Sequence, residues 1–591
     1  MPSVTTTLVV LALLYCLVVG YRLLRNLYIA RKTGFPCIVI PWDQNNFLWM
    51  VICVPLRVHL QKWLPKFIFK RLALTIYGWE YHERMRPYND FSGPNQNAKS
   101  FIMVTCGKPE FSTCDRDIAY EILRRPRDFP QTDLAASFTD QFGPSVITSG
   151  GDHWTRQRKV IASAVNERIS KAVFNESLRQ TEGLLAEIFR YPGGNGTSAE
   201  SNELFVMIKK IAMHVLSGAG MGVNFVWNDS ASETPRDGFK TTYLTAVRCL
   251  TDNLSGPIIL PQWFLSSYPS FLPGYNNLRN LSYALKEFPV HTAEILAQER
   301  KRLSACKEEK PTSTFMSQLV QASEGESTSE GKGRALTEEE IMGNLFLFTA
   351  AGFETTANTM TSGLVLLARH PKWQDWLLEE IDQVLDANTT TEQLEYNAIF
   401  PKLTRLLAFM FETLRFFPPL IHLPKQTVSE QIITTSSGTY TIPAKITCYV
   451  NAVGIGLDPD VYRNVNLAEG EKPSEEDELH FRPSRWVNPP GSPHLHFQVP
   501  KGSFLPWSTG PRVCPGMKMA QVEFCAVVLA LLRQHRIEAV SKAGETRRDV
   551  EARLDAAIRD SISVPTLQMD GVYDAKAGGG LPMRLTRRTI R

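Results

Sequence analysis

This sequence predicts a mainly α fold with a minor β component, preceded by one N-terminal transmembrane helix. Three observations carry the prediction. Met1 to Tyr21 holds no charged side chain. Glu338 to Arg369 is apolar on most faces at helical period, the pattern of a central buried helix. Alternating β-formers gather only in short runs such as "TYTIPAKITCYVNAVGI" around Pro443.

The N-terminus comes first. "LVVLALLYCLVVG" is nearly all apolar, and a spanning helix needs roughly 20 such residues. Arg22, Arg25, Arg31 and Lys32 follow at once and hold the downstream chain in the cytosol. A cleaved signal peptide would need a basic n-region and an A-x-A site, which this stretch lacks. The chain therefore divides into an anchor with its basic flank, 1–32, and one catalytic domain, 33–591. With a cytosolic body, the sequons at Asn175, Asn195, Asn228, Asn253, Asn280 and Asn388 are chance matches. The net charge of +4 is too small and dispersed for nucleic acid, and ten scattered cysteines without a CxxC pair exclude a disulfide scaffold or structural zinc.

Further on, "FLWMVICVPL" (Phe47 to Leu56) is too short to span; it rests on the membrane or joins the core. "GPIILPQWFLSSYPSFLPG" (Gly256 to Gly274) is an apolar loop that dips into lipid, lines an entrance or is a buried connector. "ASEGESTSEGKGR" (Ala322 to Arg334) reads as mobile. Thr337 and Glu340 then form a capping box that opens the long helix, which Pro371 ends. In its middle, "TAAGFETTANT" sets Gly352, Glu354, Thr355 and Thr356 in an apolar run. Burying such groups is costly unless they are paired or hydrated, so a local opening of the helix and a functional site are expected there. Gly352 adds no side chain at that point, and the Thr355 hydroxyl can bond back to the Ala351 carbonyl. Helices follow near Lys372 to Leu385 and Lys402 to Phe416.

Near the C-terminus, "FLPWSTGPRVCPG" is a loop, and a helix runs from Gly516 to Leu532. Cys514 sits two residues after Arg512 at the mouth of that helix, a setting that favours a thiolate. A thiolate is a nucleophile or a metal ligand. No Cys/His pair is evident, although His494 and His496 are nearby. A single thiolate without companion ligands fits iron held otherwise by a porphyrin. A small buried turn residue remains the plain alternative. Glu412 and Arg415 stand three apart in an apolar setting stopped by Phe-Phe-Pro-Pro. Glu83/Arg86, Glu121/Arg124, Glu299/Arg302 and Glu545/Arg548 share the spacing and read as solvated. "FRPSRW" offers Arg485 in an aromatic turn. "DHWTRQRKV" puts Trp154 and Arg158 at i, i+4, where both can reach one anion.

These motifs, in this order, make the chain resemble a membrane-anchored eukaryotic cytochrome P450 of fungal type. The resemblance implies the cytochrome P450 fold and a haem-thiolate monooxygenase that inserts one oxygen atom of O2 into a lipophilic organic substrate. It implies haem b with Cys514 as axial ligand, and Trp154, Arg158, His422 and Arg512 as propionate partners. Glu412, Arg415 and Arg485 would be the buried structural cluster, and Glu354 and Thr355 the acid–alcohol pair of oxygen activation. Phe138, Phe142, Phe346, Ala350, Leu420 and Ile421 are candidate pocket residues. Electrons would come from NADPH through a separate cytochrome P450 reductase, with cytochrome b5 as a further partner, at the endoplasmic reticulum membrane. Departures from the pattern are Trp507 for a usual Phe, Ser508 for a usual Gly, Ser484 for a common Glu, and His422 where many relatives have Arg. The rival readings are a haem-thiolate isomerase or dehydratase that needs no O2, and a non-haem membrane-anchored binding protein.

Overall fold

In the computed structural model, the N-terminal helix α1 runs from Val4 to Arg31. The structure describes residues 4–589 except 92–98, 133–141, 191–195, 228–233, 254–259, 306–313, 329–335, 387–388, 436–437, 564–565, 570 and 574–579. Phe138 and three sequons, Asn195, Asn228 and Asn388, lie outside the described residues. The apolar stretch of α1 is long enough to cross a membrane and almost wholly exposed. Its far end is not: Ala30 is buried, and Asn26 Nδ2 donates to the carbonyls of Thr105 (2.9 Å) and Gly107 (3.1 Å). Helix α1 thus ends in a firm polar attachment. A second helix passing the same length and composition test, Leu204–Met221, is mostly buried and is a core helix.

Two compact units make up the chain. The first comprises Met1–Thr132, Arg415–Phe481 and Gln498–Cys514. Its main sheet joins β1 (Cys37–Val39), β2 (Ser100–Val104), β3 (Pro109–Thr113), β8 (Thr447–Asn451) and β5 (His422–Gln426) in that order. β1 pairs parallel to β2, β2 antiparallel to β3, β3 parallel to β8, and β8 antiparallel to β5. Phe35, Phe101, Phe111, Cys448 and Val450 fill the core beside it. A hairpin of β6 (Gln431–Thr435) and β7 (Gly438–Ile442) completes the strands around Pro443. "FLWMVICVPL" is neither loop nor span but the start of helix α2 (Phe47–Trp63), followed by α3 (Lys66–Leu72).

The second unit comprises Asp133–Leu414, Arg482–Phe497 and Pro515–Arg591. Here lie α4 (Gly151–Ala164), α5 (Leu204–Val215), α6 (Glu338–Arg369), α7 (Pro371–Val384) and α9 (Met517–Leu532). Helix α8 (Thr404–Phe416) begins in this unit, and its last two residues fall in the first. A three-stranded sheet orders β4 (Ser198–Ser201), β12 (Met583–Arg587) and β9 (His535–Ala539); β10 (Ile562–Ser563) and β11 (Leu567–Gln568) pair separately. α6 has the bounds its pattern demands. Thr337 Oγ1 accepts from Glu340 N, and the Glu340 carboxylate accepts from Thr337 N. The polar run in α6 does not open the helix, which is continuous from Glu338 to Arg369. Its threonines are satisfied inside: Thr349, Thr355 and Thr359 each donate to the carbonyl four residues back. The irregular backbone lies next door, in the π turn Leu216–Met221 that extends α5. A helix, Phe315–Thr328, runs into the stretch read as mobile. Of the Gly256 to Gly274 loop, the described part contains a short helix, Gln262–Ser267.

Candidate functional site

The cysteine loop belongs to the first unit. Cys514 N donates to Trp507 O (2.9 Å) and Ser508 N to Leu505 O (2.8 Å), closing a tight double turn. Ser508 holds φ +60, the left-handed region where glycine is at ease. The Ser-for-Gly departure therefore stores local strain beside the cysteine. Gly510, at φ +71, has no room for a Cβ: one would lie 3.0 Å from Leu123 O. Cys514 is partly buried and is in no disulfide. The chain enters α9 just beyond it.

Strand β5 carries two basic side chains, His422 and Lys425, on opposite faces. Residues three apart on a strand point to opposite faces. His422 Nδ1 lies 2.6 Å from Glu80 Oε1, with the rings of Tyr77 and Tyr449 edge-on to the imidazole. Its polar capacity is directed at a buried carboxylate. Lys425 is on the other face, buried, with Nζ donating to Gln131 Oε1 (2.9 Å). Burial and the charge of Arg512 nearby push its pKa down to about 7. Among the described residues Lys425 makes no ion pair. Lys425 is a residue the sequence reading missed; period 2 applied to "HLPKQ", with Leu423 and Lys425 on the buried face, is the signal that finds it.

In the second unit, Glu354 is buried in α6, and burial raises its carboxyl to about 7, with the charge of Lys209 and a hydrogen bond to Thr566 acting the other way. The Thr355 hydroxyl donates to Ala351 O at 2.8 Å, the back-bonded arrangement. Gly352 does not leave a void. A Cβ there would lie 3.0 and 3.1 Å from the methyl groups of Leu216, so a larger residue would have to displace the Leu216 side chain of the π turn packed against it. Amid buried neighbours, Ala351 is exposed and Thr355 half-exposed, which leaves a small, flat patch at mid-helix. In α4, Trp154 and Arg158 are both half-exposed, while Arg156 and Gln157 between them bind Glu340. Phe142 and Phe346 meet edge to face, ring centroids 4.5 Å apart, and Phe288 joins them at 5.1 and 5.5 Å. Phe288 and Tyr243, stacked on it, extend the aromatic cluster beyond the residues expected. Ala350 is buried beside them in sequence; in the first unit Ile421 is buried and Leu420 exposed.

Glu412, Arg415 and Arg485 are all fully or almost fully buried. Glu412 accepts from Arg482 N (2.8 Å), Arg485 Nε (3.1 Å) and Trp486 Nε1 (2.8 Å). Arg415 donates to the carbonyls of Gly456 and Glu478 (2.7 Å each) and His480 (3.2 Å). The comparison pairs are less uniform than their spacing suggests. Glu121/Arg124 is exposed as expected, but Glu83 is half-buried, its side chain shielded between Arg57 and Arg86, Glu299 is buried, and Glu545 pairs with Arg553.

In the first unit the cysteine loop, Arg512 and the buried Lys425 are of the chemistry a haem needs, a thiol and cations for its carboxylates. The second unit separately carries the exposed patch of α6 and the Trp154/Arg158 pair. Among the described residues no group of three or more His, Cys, Asp or Glu could hold a metal ion.

Comparison with known proteins gives the same family. The sequence model of the family "Cytochrome P450" matches residues 70–554. The chain is 38% identical, over 98% of its length and 99% of the relative's, to the phomenoic acid biosynthesis cluster cytochrome P450 monooxygenase of Leptosphaeria maculans. It is 26% identical to a cytochrome P450 monooxygenase of Arthrobotrys oligospora over 93% of this chain and 95% of that one. A third relative, 7-deoxyloganic acid hydroxylase of Catharanthus roseus, is 26% identical over 74% of this chain and 77% of its own.

Proposed function

The chain belongs to the cytochrome P450 family, and from that premise we propose how its own residues divide the work of a haem-thiolate monooxygenase. Haem b, bound through a cysteine, supplies the oxidising chemistry: one atom of O2 enters an organic substrate and the other leaves as water. Cys514 would be the thiolate that holds the haem iron. The single observation that carries this is its loop: Cys514 N bonded to Trp507 O, with the start of α9 directly behind.

Lys425 and Arg512 would hold the haem carboxylates, the role proposed also for Trp154 and Arg158. Placing an anion beside a buried ammonium already pressed toward neutrality offsets its desolvation. His422, directed at Glu80, supports the fold there. Glu354, with a pKa near neutrality, gives up and regains a proton at its carboxyl without a large penalty at cytosolic pH. Thr355 is the next polar side chain along α6 and carries that proton on at its hydroxyl. Glu412, Arg415 and Arg485 hold the fold and take no part in chemistry.

The substrate is a lipophilic intermediate of secondary metabolism, a reading supported by the aromatic cluster around Phe346 and by the biosynthetic cluster named for the Leptosphaeria relative. Phe142, Phe346 and Ala350 contribute apolar surface to it, as do Leu420 and Ile421. Electrons come from NADPH through a separate reductase, with cytochrome b5 as an auxiliary donor, since the chain carries no nucleotide fingerprint of its own. α1 fixes the protein to the endoplasmic reticulum membrane with the body cytosolic.

The reduced, CO-bound protein is expected to show the red-shifted Soret band of a thiolate ligand. Cys514→Ala loses it, whereas substitution of the buried Cys525 keeps it; a mutant of Cys514 that retained the band would overturn the assignment. Lys425→Met should lose haem to an apo-globin acceptor faster than Lys425→Arg. Equal rates would return the role to His422. Co-expression with a reductase, followed by comparison of metabolites with and without the chain, identifies the substrate.

A further inference from the structure

The family model matches residues 70–554, yet the central helix α6 takes several of its partners from beyond that range. Glu354, Asn358 and Thr361 stand four and three residues apart, which puts them in one stripe along the helix. All three are buried. A polar stripe inside a central helix is costly unless each group is met. The partners come from the chain around and after β11. Tyr573 Oη donates to Asn358 Oδ1 (2.7 Å), and the Thr361 and Tyr573 hydroxyl oxygens lie 3.0 Å apart. Asn358 Nδ2 donates to Thr566 Oγ1 (2.9 Å). Thr566 offers its hydroxyl to the Glu354 carboxyl.

The order of donors matters. Tyr573 spends its one proton on Asn358, so Thr361 donates to Tyr573. Asn358 accepts at its oxygen from Tyr573, and its nitrogen faces Thr566. Thr566 accepts there, which leaves its own proton for Glu354. The chain of bonds therefore runs in one direction, from Thr361 through Tyr573, Asn358 and Thr566, and ends on the carboxyl. Hydrogen bonds linked in this way polarise one another. Two charged groups also act on Glu354: Lys209 on α5, and Asp252 at the end of the helix Tyr243–Asp252. They are tied to each other, with Lys209 Nζ 3.5 Å from Asp252 Oδ1. The Lys209 ammonium lies over the Tyr573 ring, 4.5 Å from its centroid. One tyrosine thus serves both the hydrogen-bonded chain and the seat of a cation that acts on Glu354.

Given the proton-carrying role read above for Glu354, we propose that Thr566 and Tyr573, both outside the family match, are positioning residues for it: the chain they complete fixes a hydroxyl donor on the Glu354 carboxyl and so sets how readily that carboxyl holds its proton. Neither residue touches the reacting atoms. Thr566 acts on Glu354 directly, and Tyr573 acts through Asn358, whose amide it holds in the one orientation that leaves the Thr566 proton free.

Infrared spectroscopy reads Glu354 directly, because a neutral carboxylic acid has a C=O band that a carboxylate lacks. In the oxidised, haem-loaded full chain, the part of that band missing from Glu354→Gln belongs to Glu354. Its fading with rising pH gives the midpoint at which the group ionises, about 7 in the wild type. Thr566→Val removes a donor to the charged form and should raise the midpoint by about one pH unit, roughly a tenfold gain in proton affinity. Thr566→Ser, which restores the hydroxyl, should return it to the wild-type value. Tyr573→Phe keeps the ring under Lys209 but frees Asn358 to turn and claim the Thr566 proton, so it should raise the midpoint by less. Should Thr566→Val fail to accumulate, the Tyr573→Phe midpoint decides alone. Midpoints that stay at the wild-type value, whatever the variants do to melting, make the chain a structural tie and overturn the proposal. Product formed per NADPH in Glu354→Gln checks the role of Glu354 separately. Unmoved midpoints with coupling lost there overturn the chain and leave the proton role standing. Shifted midpoints with coupling intact uphold the chain and overturn that role instead.

Discussion

Glu412 and Glu354 are both buried glutamates on long helices, yet the molecule treats them in opposite ways. Glu412 receives three donors, two of them N–H groups of neutral partners and one from the Arg485 guanidinium. Glu354 has a hydrogen bond to Thr566 and the more distant charge of Lys209, which burial outweighs, so its pKa rises to about 7. A carboxylate surrounded by donors stays ionised and rigid. One buried without enough of them becomes a proton carrier near neutral pH. Burial alone does not identify a structural residue; the donor count does.

The largest effect that would test this contrast is at Glu412. Glu412→Ala strands the buried Arg485 charge and leaves two N–H groups unmet, at a cost of roughly 3–5 kcal/mol. That is a large share of the ~5–15 kcal/mol of a typical protein. The variant is expected not to accumulate as folded haem protein. Wild-type haem incorporation in Glu412→Ala would mean the donors around it are not needed.

Glu354 should respond to pH, and with a definite sign. Its folded pKa, about 7, lies above the ordinary 4.5, so the folded state holds a proton that the unfolded chain releases. Stability from this group is complete below about pH 4.5 and is lost as pH rises through about 7. The loss is at most about 3 kcal/mol at 1.36 kcal/mol per pH unit. Glu354→Gln keeps the shape without the charge. It should flatten the difference in stability between pH 5 and 8 relative to wild type, measured by denaturant titration (roughly the interval of that titration). An unchanged pH slope would place Glu354 with Glu412, as a satisfied carboxylate. Product formed per NADPH should fall in the same variant.

A third comparison concerns i, i+3 pairs of one spacing and different settings. Glu83 is half-buried, its side chain shielded between Arg57 and Arg86, so Glu83→Ala should destabilise by about 1–3 kcal/mol. Glu121→Ala, in an exposed pair, should change stability by only about 0–1 kcal/mol. Equal melting curves for the two would show that setting does not matter.

Much of this was legible in local pattern. The capping box at Thr337, the run to Arg369, the loop that carries Cys514 and the helix to Leu532 are written in neighbouring residues, where period, caps and Gly/Pro act directly. What escaped depends on distant chain. The shielding of Glu83 comes from Arg57 on α2, and the crowding at Gly352 comes from Leu216 in a π turn. The weight of Lys425 comes from Arg512, far along the chain, and from the face that β5 turns inward. Nothing within a few residues of any of these announces its partner.

Thr355 gives the smallest change in stability and the sharpest test of the division between structure and chemistry. Its hydroxyl donates to Ala351 O, a bond in a helix whose backbone is already satisfied, so Thr355→Val should cost no more than about 1 kcal/mol. On a purely structural account nothing else follows. The side chain is half-exposed at mid-helix, next to the buried Glu354, and a hydroxyl can exchange its back-bond for a donor role without moving the backbone. Thr355→Val should therefore bind haem and substrate and consume NADPH like the wild type, yet release more hydrogen peroxide and less oxygenated product. Thr355→Ser, which restores the hydroxyl, should recover most of the coupling. NADPH, peroxide and product measured together in the three proteins decide the matter. Unchanged coupling in the valine variant would remove Thr355 from proton transfer and leave its hydroxyl a helical back-bond, as the geometry at rest has it.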